Sequence, residues 1–513
     1  MLDKPFPRRP DWAGMARFRA VLVVPTILVI GFLAGCLQGE GDAGPDVPPT
    51  SSTGTTTENG GLLVDVPLPG PATPAVASFA VYTLPAIFTG PIGLYEPTID
   101  VADDGAIYVS AHSTDVGRNP APVYYSLDDG KTWQSMALIL TQQGQPSEQG
   151  SAPLLSDEVF VIASEGGMAW GMDCCTEAHN PLVGWCQNGA EACYYNQNAR
   201  VSQADAVGLV TCQALPTTDR PWLAYNDGKL LLVNNPGGGP LQVGSMDVPP
   251  LLPIAYTGTA WQVEWNLCGS SGGFIPGIPD MRPDHFFAVP QWQDYGVGCG
   301  QESHYDVITG NANDMAALTQ KTVFANSHVA PAEDDSTPSN IGLYGQVVFD
   351  SAGALYVGAM NNTAREDGST CVTVAGVGAI HFALSTDDAA SFKETTFRFD
   401  APVSSFYMDG NRHGLGFLLN WGLIDGSNTD WYVGHVLPNP DGTLRLENVM
   451  LAVNDGPEAS RHVQGAAMGP DGRAYLALSM NSQNPGGATS SPGDTPLRVA
   501  VQQSGPTMVV GPA

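Results

Sequence analysis

Basic residues are scarce in this sequence. It contains 20 Lys and Arg against 51 Asp and Glu, which gives a formal net charge of -31 over 513 residues. A surface with so large an excess of negative charge repels the phosphates of nucleic acids and the anionic headgroups of membranes. We therefore expect no nucleic-acid partner and no membrane binding through a basic surface.

Stretches that are long and regular enough to predict helices are also few. The chain is interrupted throughout by 60 Gly and 42 Pro, and short runs rich in Val, Tyr and Leu lie between them. Short β-branched and aromatic runs separated by turn residues are typical of strands. The sequence therefore predicts an all-β protein of many short strands.

The common signatures of catalytic sites are missing as well. The sequence has no phosphate-binding loop, no Ser-centred nucleophile elbow and no zinc-protease helix motif. Acidic pairs are frequent, but they fall mostly in turns, so we interpret them as turn formers or as incidental Ca²⁺ ligands. These pairs are Asp103-Asp104, Asp128-Asp129, Asp334-Asp335 and Asp387-Asp388. We expect no metal site and no cofactor, with these Ca²⁺ ligands and a zinc site at the cysteines described below as the alternatives.

One long apolar run is present, and it lies near the N-terminus. Arginines precede residues 20–33, and the run closes on Leu33-Ala34-Gly35-Cys36. This order of basic, apolar and small residues is typical of a secretory signal. Leu-Ala-Gly-Cys also resembles the lipobox of exported prokaryotic lipoproteins, which implies cleavage before Cys36 and attachment of a lipid to its sulfur. The alternative is an uncleaved membrane anchor. Both interpretations place the rest of the chain outside the cytoplasm, anchored to the cell membrane and facing outward.

The segment that follows the signal region is a predicted linker. Residues 37–75 are rich in Gly, Ser, Thr, Pro and Asp. Such a composition cannot bury a core, and it behaves as a flexible chain. We therefore divide the sequence into a signal peptide over 1–36, a linker over 37–75 and a folded domain over 76–513.

Eight cysteines follow Cys36 in the sequence. An even number of cysteines in an exported protein favours disulfides. Five of the eight lie between residues 174 and 212, where we expect disulfides to staple an irregular insertion at about 170–215. A zinc site is the alternative, although the cysteines there lack C-x-x-C spacing. The eight are Cys174, Cys175, Cys186, Cys193, Cys212, Cys268, Cys299 and Cys371.

A repeated pattern runs through residues 76–513. Apolar runs meet at a turn glycine at Gly105, Gly228, Gly353 and Gly472, which lie 123, 125 and 119 residues apart. Each interval is close to the length of two four-stranded blades, and further candidate units lie near residues 160, 290 and 412. Repetition of this kind indicates a radial architecture. The sequence predicts a seven-bladed β-propeller of four-stranded antiparallel blades, with six blades as the alternative.

The two ends of this region complement each other. The last unit supplies three strands, and the segment from Ser78 to Leu84 has the composition of a fourth. Pairing that segment with the last unit would close the ring and remove an exposed sheet edge.

A tight acidic turn in the first unit carries the strongest resemblance to a known family. Its spacing is S-x-D-x-G-x-T-W, formed by Ser126, Asp128, Gly130, Thr132 and Trp133. The spacing resembles the Asp-box of bacterial-neuraminidase-type repeats, and the chain therefore resembles sialidase-like β-propellers. The resemblance implies that Ser and Asp bind turn amides, that Gly adopts a positive φ, and that Trp packs between sheets.

A second copy of the turn lies at residues 385–392. It keeps Ser385, Asp387 and Phe392, but it has Ala389 where the family has Gly and Ser391 where the family has Thr. Both copies fit the outer hairpin of a blade. They therefore predict the fold and do not indicate a reaction.

Candidate ligand-binding residues come from the few basic side chains beyond residue 36. In propellers, ligands usually contact the loops that lead into the innermost strands, and several Arg and His residues fall at such positions. Arginine forks bind carboxylate or sulfate groups, and His adds a donor or a general base. In the alternative interpretation these residues brace the strands by local pairing and bind no ligand. The candidates are Arg220, Arg282, His285, Arg412, His413, Arg461 and His462.

The resemblance to the sialidase family also implies which catalytic residues an active member would need. Members of the sialidase family use an arginine triad, a Tyr nucleophile paired with Glu, and an Asp acid/base. At the position that matches the family's Arg-Ile-Pro motif, this chain has Tyr95-Glu96-Pro97-Thr98 and no arginine; Glu96 with Tyr344 or Tyr407 is the nearest match to the nucleophile pair. We therefore expect a non-catalytic binding module for glycans or protein partners. The alternative is a divergent exo-sialidase-type glycoside hydrolase.

Overall fold

In the computed structural model, every feature described below belongs to the unit Ser52–Ala513. The predicted signal region with Cys36 lies outside the described residues, as does most of the predicted linker. The structure describes residues 55–56, 62–66, 77–85, 94–113, 123–136, 159–164, 167–174, 189–196, 210–215, 219–235, 242–247, 255–256, 274–293, 304–324, 346–361, 363–365, 371–373, 378–425, 428–454, 461–480 and 497–511.

Strands account for nearly all the regular structure in these ranges. The first eleven are β1 (Thr55–Thr56), β2 (Leu62–Asp65), β3 (Ser78–Thr83), β4 (Leu94–Val101), β5 (Ile107–Ser113), β6 (Val123–Ser126), β7 (Gln134–Met136), β8 (Val159–Ser164), β9 (Gly167–Cys174), β10 (Gly189–Asn196) and β11 (Val210–Leu215). The next eleven are β12 (Asp219–Asn226), β13 (Lys229–Asn235), β14 (Gln242–Asp247), β15 (Ala255–Tyr256), β16 (Phe274–Pro276), β17 (Asp280–Met281), β18 (Phe286–Gln293), β19 (His304–Asn311), β20 (Asp314–Phe324), β21 (Gln346–Phe349) and β22 (Leu355–Asn361). The last eleven are β23 (Thr363–Arg365), β24 (Cys371–Thr373), β25 (Gly378–Ser385), β26 (Lys393–Phe399), β27 (Val403–Gly410), β28 (Phe417–Asp425), β29 (Asn428–Pro438), β30 (Leu444–Asn454), β31 (Arg461–Met468), β32 (Ala474–Met480) and β33 (Arg498–Ser504).

Five of the sheets are blades of four antiparallel strands. They are β4-β5-β6-β7, β8-β9-β10-β11, β12-β13-β14-β15, β27-β28-β29-β30 and β31-β32-β33-β3. The fold is therefore all-β and propeller-like, with five blades of this kind in the described part of the chain. The prediction of seven uniform four-stranded blades is wrong, and so is its alternative of six.

The remaining sheets depart from the four-strand pattern. One has six strands in the order β1-β2-β26-β25-β22-β21, and one contains only β23 and β24. In the third, both β16 and β17 pair with β18, and β19 and β20 follow.

Two local features explain why the regular spacing failed to predict the strand count. β2, which lies within the predicted linker, adds to β26 as a parallel strand. Residues 277–279 separate β16 from β17, and Pro279 has no N–H to donate to a sheet ladder. The spacing of turn glycines therefore measures the length of a unit but not the number of strands within it.

The docking of β2 is supported by packing as well as by backbone pairing. Val64 and Val66 are each 7% exposed and belong to the core between the six-stranded sheet and the β27–β30 blade. Between them, Oδ1 of Asp65 forms an ion pair with Nη2 of Arg398 at 2.5 Å. Alternation of inward Val and outward Asp is the period of a strand with one buried face, so this part of the predicted linker is folded.

The inner hairpins agree with the sequence pattern. Gly105, Gly228, Gly353 and Gly472 have φ values of 82°, 74°, 78° and 77°, a region that L side chains rarely adopt. The tyrosines three residues after three of these glycines are buried in the cores between sheets. They are Tyr108, Tyr356 and Tyr475.

The N-terminal and C-terminal segments of the repeat region meet as predicted. β3 pairs antiparallel with β33, so it supplies the fourth strand of the blade that contains β31 and β32. This confirms the predicted pairing of the 78–84 segment with the last unit and leaves β33 without a free edge.

The predicted Cys-rich insertion contributes regular structure. Within about 170–215 lie the end of β9 and all of β10 and β11, and the register sets Cys193 opposite Cys212. The cysteine side chains lie outside the described part of the structure, so disulfides remain a prediction. A search of the described residues finds no helix with the length and apolarity needed to span a membrane.

Candidate functional site

Two neighbouring cavities lie among the innermost strands. The outer cavity has a volume of about 600 Å³ and opens where those strands end, and the inner cavity, of about 80 Å³, lies between the strands. Both are lined by Asp280 and Arg412. The outer volume lies in the range of small-molecule sites. Other polar side chains that line the outer cavity are Asp103, Tyr225, Asn226, Arg282, Asp284, Asp350, Ser351, Asp388 and His413.

Three carboxylates converge on the inner cavity from three different strands. Asp100, Asp280 and Asp409 each occupy the position before the last residue of an innermost strand, β4, β17 and β27 respectively. Asp100 is buried, whereas the other two are partly buried. Carboxylates with so little water around them need hydrogen-bond donors or a counter-charge.

Backbone amides of neighbouring strands supply some of these donors. Oδ2 of Asp280 accepts from the N–H of Phe349 in β21 at 2.7 Å, and Oδ2 of Asp409 accepts from the N–H of Met468 in β31 at 2.5 Å. The carboxylates of Asp280 and Asp409 therefore each link their own strand to the next innermost strand. This arrangement braces the centre of the fold.

Arg412 supplies the counter-charge. Its Nη2 lies 3.4 Å from both carboxylate oxygens of Asp100, and its side chain, which is 39% exposed, lines both cavities. The charge of Asp100 is the main cause that raises the pKa of Arg412, and Asp409 and Asp280 raise it further. Arg412 therefore stays charged and serves three carboxylates at once.

One guanidinium does not fully compensate three acids. Removal from water raises the pKa of Asp280 to about 6, and it raises the pKa of Asp409 to about 7. The charge of Arg412 lowers both pKa values, whereas the charge of Asp100 raises them further. The cluster therefore takes up protons in the neutral range.

Arg282 lies at the rim of the outer cavity, but its donors are used within the protein. Its Nη1 bonds Oδ1 of Asp388 at 2.7 Å and its Nη2 bonds Oδ2 of Asp284 at 2.7 Å. Its guanidinium also stacks over the ring of Phe286, 4.5 Å from the centroid. The side chain is 15% exposed. These contacts fit a brace between two sheets.

The same brace occurs a second time. Arg473, in the turn between β31 and β32, bonds Oδ1 of Asp129 at 2.7 Å and also bonds Asp471. Asp129 and Asp388 hold equivalent positions in the two acidic turns found in the sequence, and both have a positive φ. Arginines of inner hairpins therefore tie down the acidic turns of neighbouring sheets.

The first acidic turn has the hydrogen bonds that its residues imply. Oγ of Ser126 accepts from the N–H of Gly130 at 2.9 Å, and Oδ1 of Asp128 accepts from the N–H of Thr132 at 2.8 Å. The Thr132 hydroxyl donates to Oδ2 of Asp128 at 2.7 Å, and Trp133 packs on the core between two blades.

The second turn repeats this geometry. Oγ of Ser385 accepts from the N–H of Ala389 at 3.0 Å, and Oδ1 of Asp387 accepts from the N–H of Ser391 at 2.9 Å. Hydrogen bonds from Ser391 lower the pKa of Asp387 to about 2. Phe392 packs against an adjacent core. The carboxylates of both turns are thus backbone acceptors, and membership of the Asp-box family stays a prediction.

The two described histidine candidates have different surroundings. Nε2 of His413 lies 3.6 Å from Oδ1 of Asp103 at the outer cavity. His285 bridges two turns, since Nε2 lies 3.3 Å from the carbonyl of Asp227 and Nδ1 lies 2.7 Å from Nδ2 of Asn313. His413 is therefore the histidine that a ligand in the outer cavity would meet.

The remaining candidates lie where innermost strands begin, whereas the outer cavity lies where innermost strands end. Arg220 is the second residue of β12, and Arg461 and His462 are the first two of β31, whereas Arg282 and Arg412 follow β17 and β27. The structure thus brings Arg282, Arg412 and His413 together and places the backbones of the others at the far ends of the inner strands. Their side chains lie outside the described residues.

Of the three residues nominated for a sialidase reaction, the side chain of Tyr407 alone lies in the described part of the structure. Tyr407 lines the inner cavity and is 8% exposed. Tyr344 and the side chain of Glu96 lie outside the described ranges. Among described residues, no group of three or more His, Cys, Asp or Glu could hold a metal ion, so the calcium alternative remains a prediction.

The sequence interpretation missed the inner carboxylates. Asp100, Asp280 and Asp409 stand near the ends of apolar runs, where a charged residue is rarely left without a partner. That signal was present in Ile99-Asp100-Val101 and in Met408-Asp409-Gly410. Basic residues and the loops that lead into the strands do not reveal it, because the outer cavity lies where the strands end.

These features define an all-β, propeller-like protein with an acid-lined cavity at the ends of its innermost strands. No protein-family model and no curated protein matches the chain. Among solved structures, it is similar to an ulvan lyase of a polysaccharide lyase family, with 8% identity and a TM-score of 0.47 over 81% of this chain and 98% of the lyase.

Two further neighbours carry sialidase names. An endosialidase of phage phi92 shows 11% identity and a TM-score of 0.42 over 88% of this chain and 72% of that chain. A sialidase of Trypanosoma rangeli shows 12% identity and a TM-score of 0.36 over 88% of this chain and 56% of that chain. The neighbours therefore include glycan-acting proteins. At these identities and TM-scores, the likeness carries no argument about the function of this chain.

Proposed function

We propose that this protein is a non-catalytic module that binds neutral or positively charged glycans in the outer cavity. The observation that carries the proposal is the pairing of the arginines. Arg282 is held by Asp284 and Asp388, and Arg412 is held by Asp100. A ligand carboxylate or sulfate would have to compete with carboxylates of the protein for either guanidinium.

The charge of the lining supports the same ligand class. The outer cavity is lined by five Asp against two Arg and one His. An excess of carboxylate in a concave surface attracts cations and repels anions. Sugar hydroxyls and the ammonium group of an amino sugar can donate hydrogen bonds to carboxylates. Sialic acids, uronates and sulfated sugars would meet repulsion.

Some lining groups are committed to the fold and are excluded from the ligand site. Asp350 already accepts from the backbone N–H groups of Ala352, Ala354 and Gly416 and from the hydroxyl of Tyr356, all within 3.0 Å. The exposed pair of Asp103 and His413 has fewer ties. We therefore assign ligand contact to Asp103 and His413 at the rim.

A glycan array that contains neutral, amino, uronic, sulfated and sialylated glycans tests this assignment with the full chain. We expect signals on neutral or amino glycans, and a loss of about tenfold in affinity in Asp103→Asn and in His413→Ala, since each removes a rim contact. Asp400→Asn is the matched control, because Asp400 is exposed and does not line the cavity. Signals confined to anionic glycans, or none at all from folded protein, would overturn the proposal.

A turnover assay tests the alternative function, a divergent glycoside hydrolase. A fluorogenic sialoside is the probe, and the proposed module leaves it intact. Turnover by the full chain that is abolished in Arg412→Ala would replace the binding module by a glycoside hydrolase of sialidase type.

We further propose that the module is displayed outside the cell on a lipid attached to Cys36. The support is the order of basic, apolar and small residues in 1–36, closing on Leu33-Ala34-Gly35-Cys36. Metabolic labelling of bacteria that express the full chain with a fatty-acid analogue should mark the protein, and Cys36→Ala should remove the label. Equal labelling of both chains would show that Cys36 is not lipidated.

A further inference from the structure

The segment after β33, residues 505–511, lies across two inner hairpin turns, and we call it the C-terminal strap. Near its start, Nε2 of Gln502 donates to the carbonyl of Pro506 at 2.8 Å. At its centre, the N–H of Met508 donates to the carbonyl of Gly472 at 2.9 Å. The Met508 side chain is 2% exposed and belongs to the core between the β27–β30 blade and the blade that contains β31. The strap is therefore anchored by packing as well as by hydrogen bonds.

The end of the strap contacts the turn that follows β27, residues 411–416. Nδ2 of Asn411 donates to the carbonyl of Val509 at 3.0 Å, and the N–H of Gly511 donates to the carbonyl of His413. The approach is close, because a Cβ on Gly414 would lie 2.3 Å from the carbonyl oxygen of Val509. Glycine at this position is what allows the two backbones to meet.

The same turn is supported from its other side by the six-stranded sheet. The N–H of Ser351 donates to the carbonyl of Asn411 at 2.9 Å and to that of Gly414 at 3.0 Å. The Ser351 hydroxyl also donates to the carbonyl of Gly414, at 2.9 Å. The 411–416 turn is thus clamped between Ser351 and the strap.

The turn presents two side chains of the outer cavity, Arg412 and His413. We propose that the C-terminal strap is the positioning element of the ligand site: it holds the 411–416 turn so that these side chains face the cavity. Neither Met508 nor Val509 contacts the ligand in this proposal. The inference rests on the proposed function for its purpose, but the coupling between strap and turn can be measured without any ligand.

Hydrogen–deuterium exchange of the full chain measures that coupling. Two variants release the strap, Met508→Ala and a chain that ends at Ser504. Met360→Ala is the matched control, since Met360 is also buried but belongs to the core between the six-stranded sheet and the β27–β30 blade. We expect the amides of His413 and Gly414 to exchange at least about tenfold faster in the released chains, since local opening then costs less, and to be unchanged in the control.

A second readout separates positioning from a general loss of stability. Once the strap is released, modification of His413 by diethyl pyrocarbonate should rise, and glycan affinity should fall as in His413→Ala. Met508→Leu keeps an apolar side chain of similar volume, so it should restore both readouts.

Unchanged exchange at His413 and Gly414 in the chain that ends at Ser504 would overturn the inference, because no strap remains there. The same holds if Met360→Ala accelerates the turn as much as Met508→Ala does. A glycan array without signals would count against the proposed function alone, since the exchange experiment needs no glycan.

Discussion

Replacing Asp409 by Asn should stabilise this protein at pH 8. The carboxylate of Asp409 lies beside Asp100 and Asp280, and one guanidinium, that of Arg412, serves all three. Asn is nearly the same shape as Asp, and its amide oxygen can still accept from the N–H of Met468, which Oδ2 of Asp409 accepts at 2.5 Å. The substitution therefore removes the charge and keeps the brace between strands.

The size of the effect follows from the pKa of Asp409, which desolvation raises from 3.8 to about 7. For an isolated group this shift corresponds to roughly 4 kcal/mol of lost stability at alkaline pH. The gain in Asp409→Asn should be smaller, because the side chain is only partly buried and because Arg412 loses one of its partners. We expect about 1–2 kcal/mol, which for a chain of this length raises the Tm by about 1–2 °C.

The pH dependence gives the sharper test. The folded protein binds a proton at Asp409 up to about pH 7, whereas the unfolded chain releases it near 3.8. Asp409 therefore contributes most favourably to the free energy of unfolding at acidic pH. This stabilisation is lost as the pH rises through the folded pKa of Asp409, and the free energy of unfolding does not change further with this group at higher pH. The difference between Asp409→Asn and the natural chain should be close to zero near pH 4 and should grow to its full value by pH 8.

Differential scanning calorimetry of the full chain at a series of pH values between 4 and 8 measures this difference. Asp400→Asn serves as the control, since Asp400 is exposed and should show no trend. A lower Tm for Asp409→Asn at pH 8 would refute the reasoning. An equal difference at pH 4 and pH 8 would do so as well, because it would mean that the charge of Asp409 is not the cause.

Three further predictions concern the fold. Ala389 has a φ of 64°, so Ala389→Gly should add about 0.5 kcal/mol to the free energy of unfolding in urea, whereas Gly130→Ala, at a φ of 78°, should remove about 1 kcal/mol or more. Val64→Asp would bury an unpaired charge where β2 docks and should cost about 2–4 kcal/mol, which urea unfolding and faster amide exchange in β26 would show. Arg473→Ala removes the brace to Asp129 and, because that pair is partly exposed, should lower the free energy of unfolding by only about 0.5–1 kcal/mol.

Local features of the fold were predictable, because a few neighbouring residues determine them. A glycine between two apolar runs requires a positive φ at the turn, and Gly105 and Gly353 adopt it. The acidic turn at 126–133 forms from hydrogen bonds between residues at most four positions apart, so its spacing is sufficient to predict it. The pairing of β3 with β33 was predictable for a different reason, since an unpaired edge at both ends suggested that they meet.

Features that depend on distant partners were not predictable in the same way. Residues 62–66 resemble a linker because Gly, Ser and Thr precede them in the sequence, and their strand pairs with the edge of β26, more than 300 residues away. Asp100, Asp280 and Asp409 are each a single acid in its own segment, and only the radial packing of three strands brings them to one cavity. The number of strands in each sheet and the location of the outer cavity depended on such contacts.

The use of the arginines connects the fold to the ligand class. In a chain with so few basic residues, each guanidinium that braces a turn is withdrawn from ligand binding. Arg282 and Arg473 make the same contact, at 2.7 Å in both cases, with the second acid of an acidic turn. Because this brace recurs, the position of Arg282 at a cavity rim is explained by structure and needs no ligand. Arg412 is in turn occupied by Asp100. The outer cavity therefore presents carboxylates that outnumber its committed guanidiniums, which is why we expect it to bind hydroxyl or ammonium groups and to reject the anionic sugars that a sialidase requires.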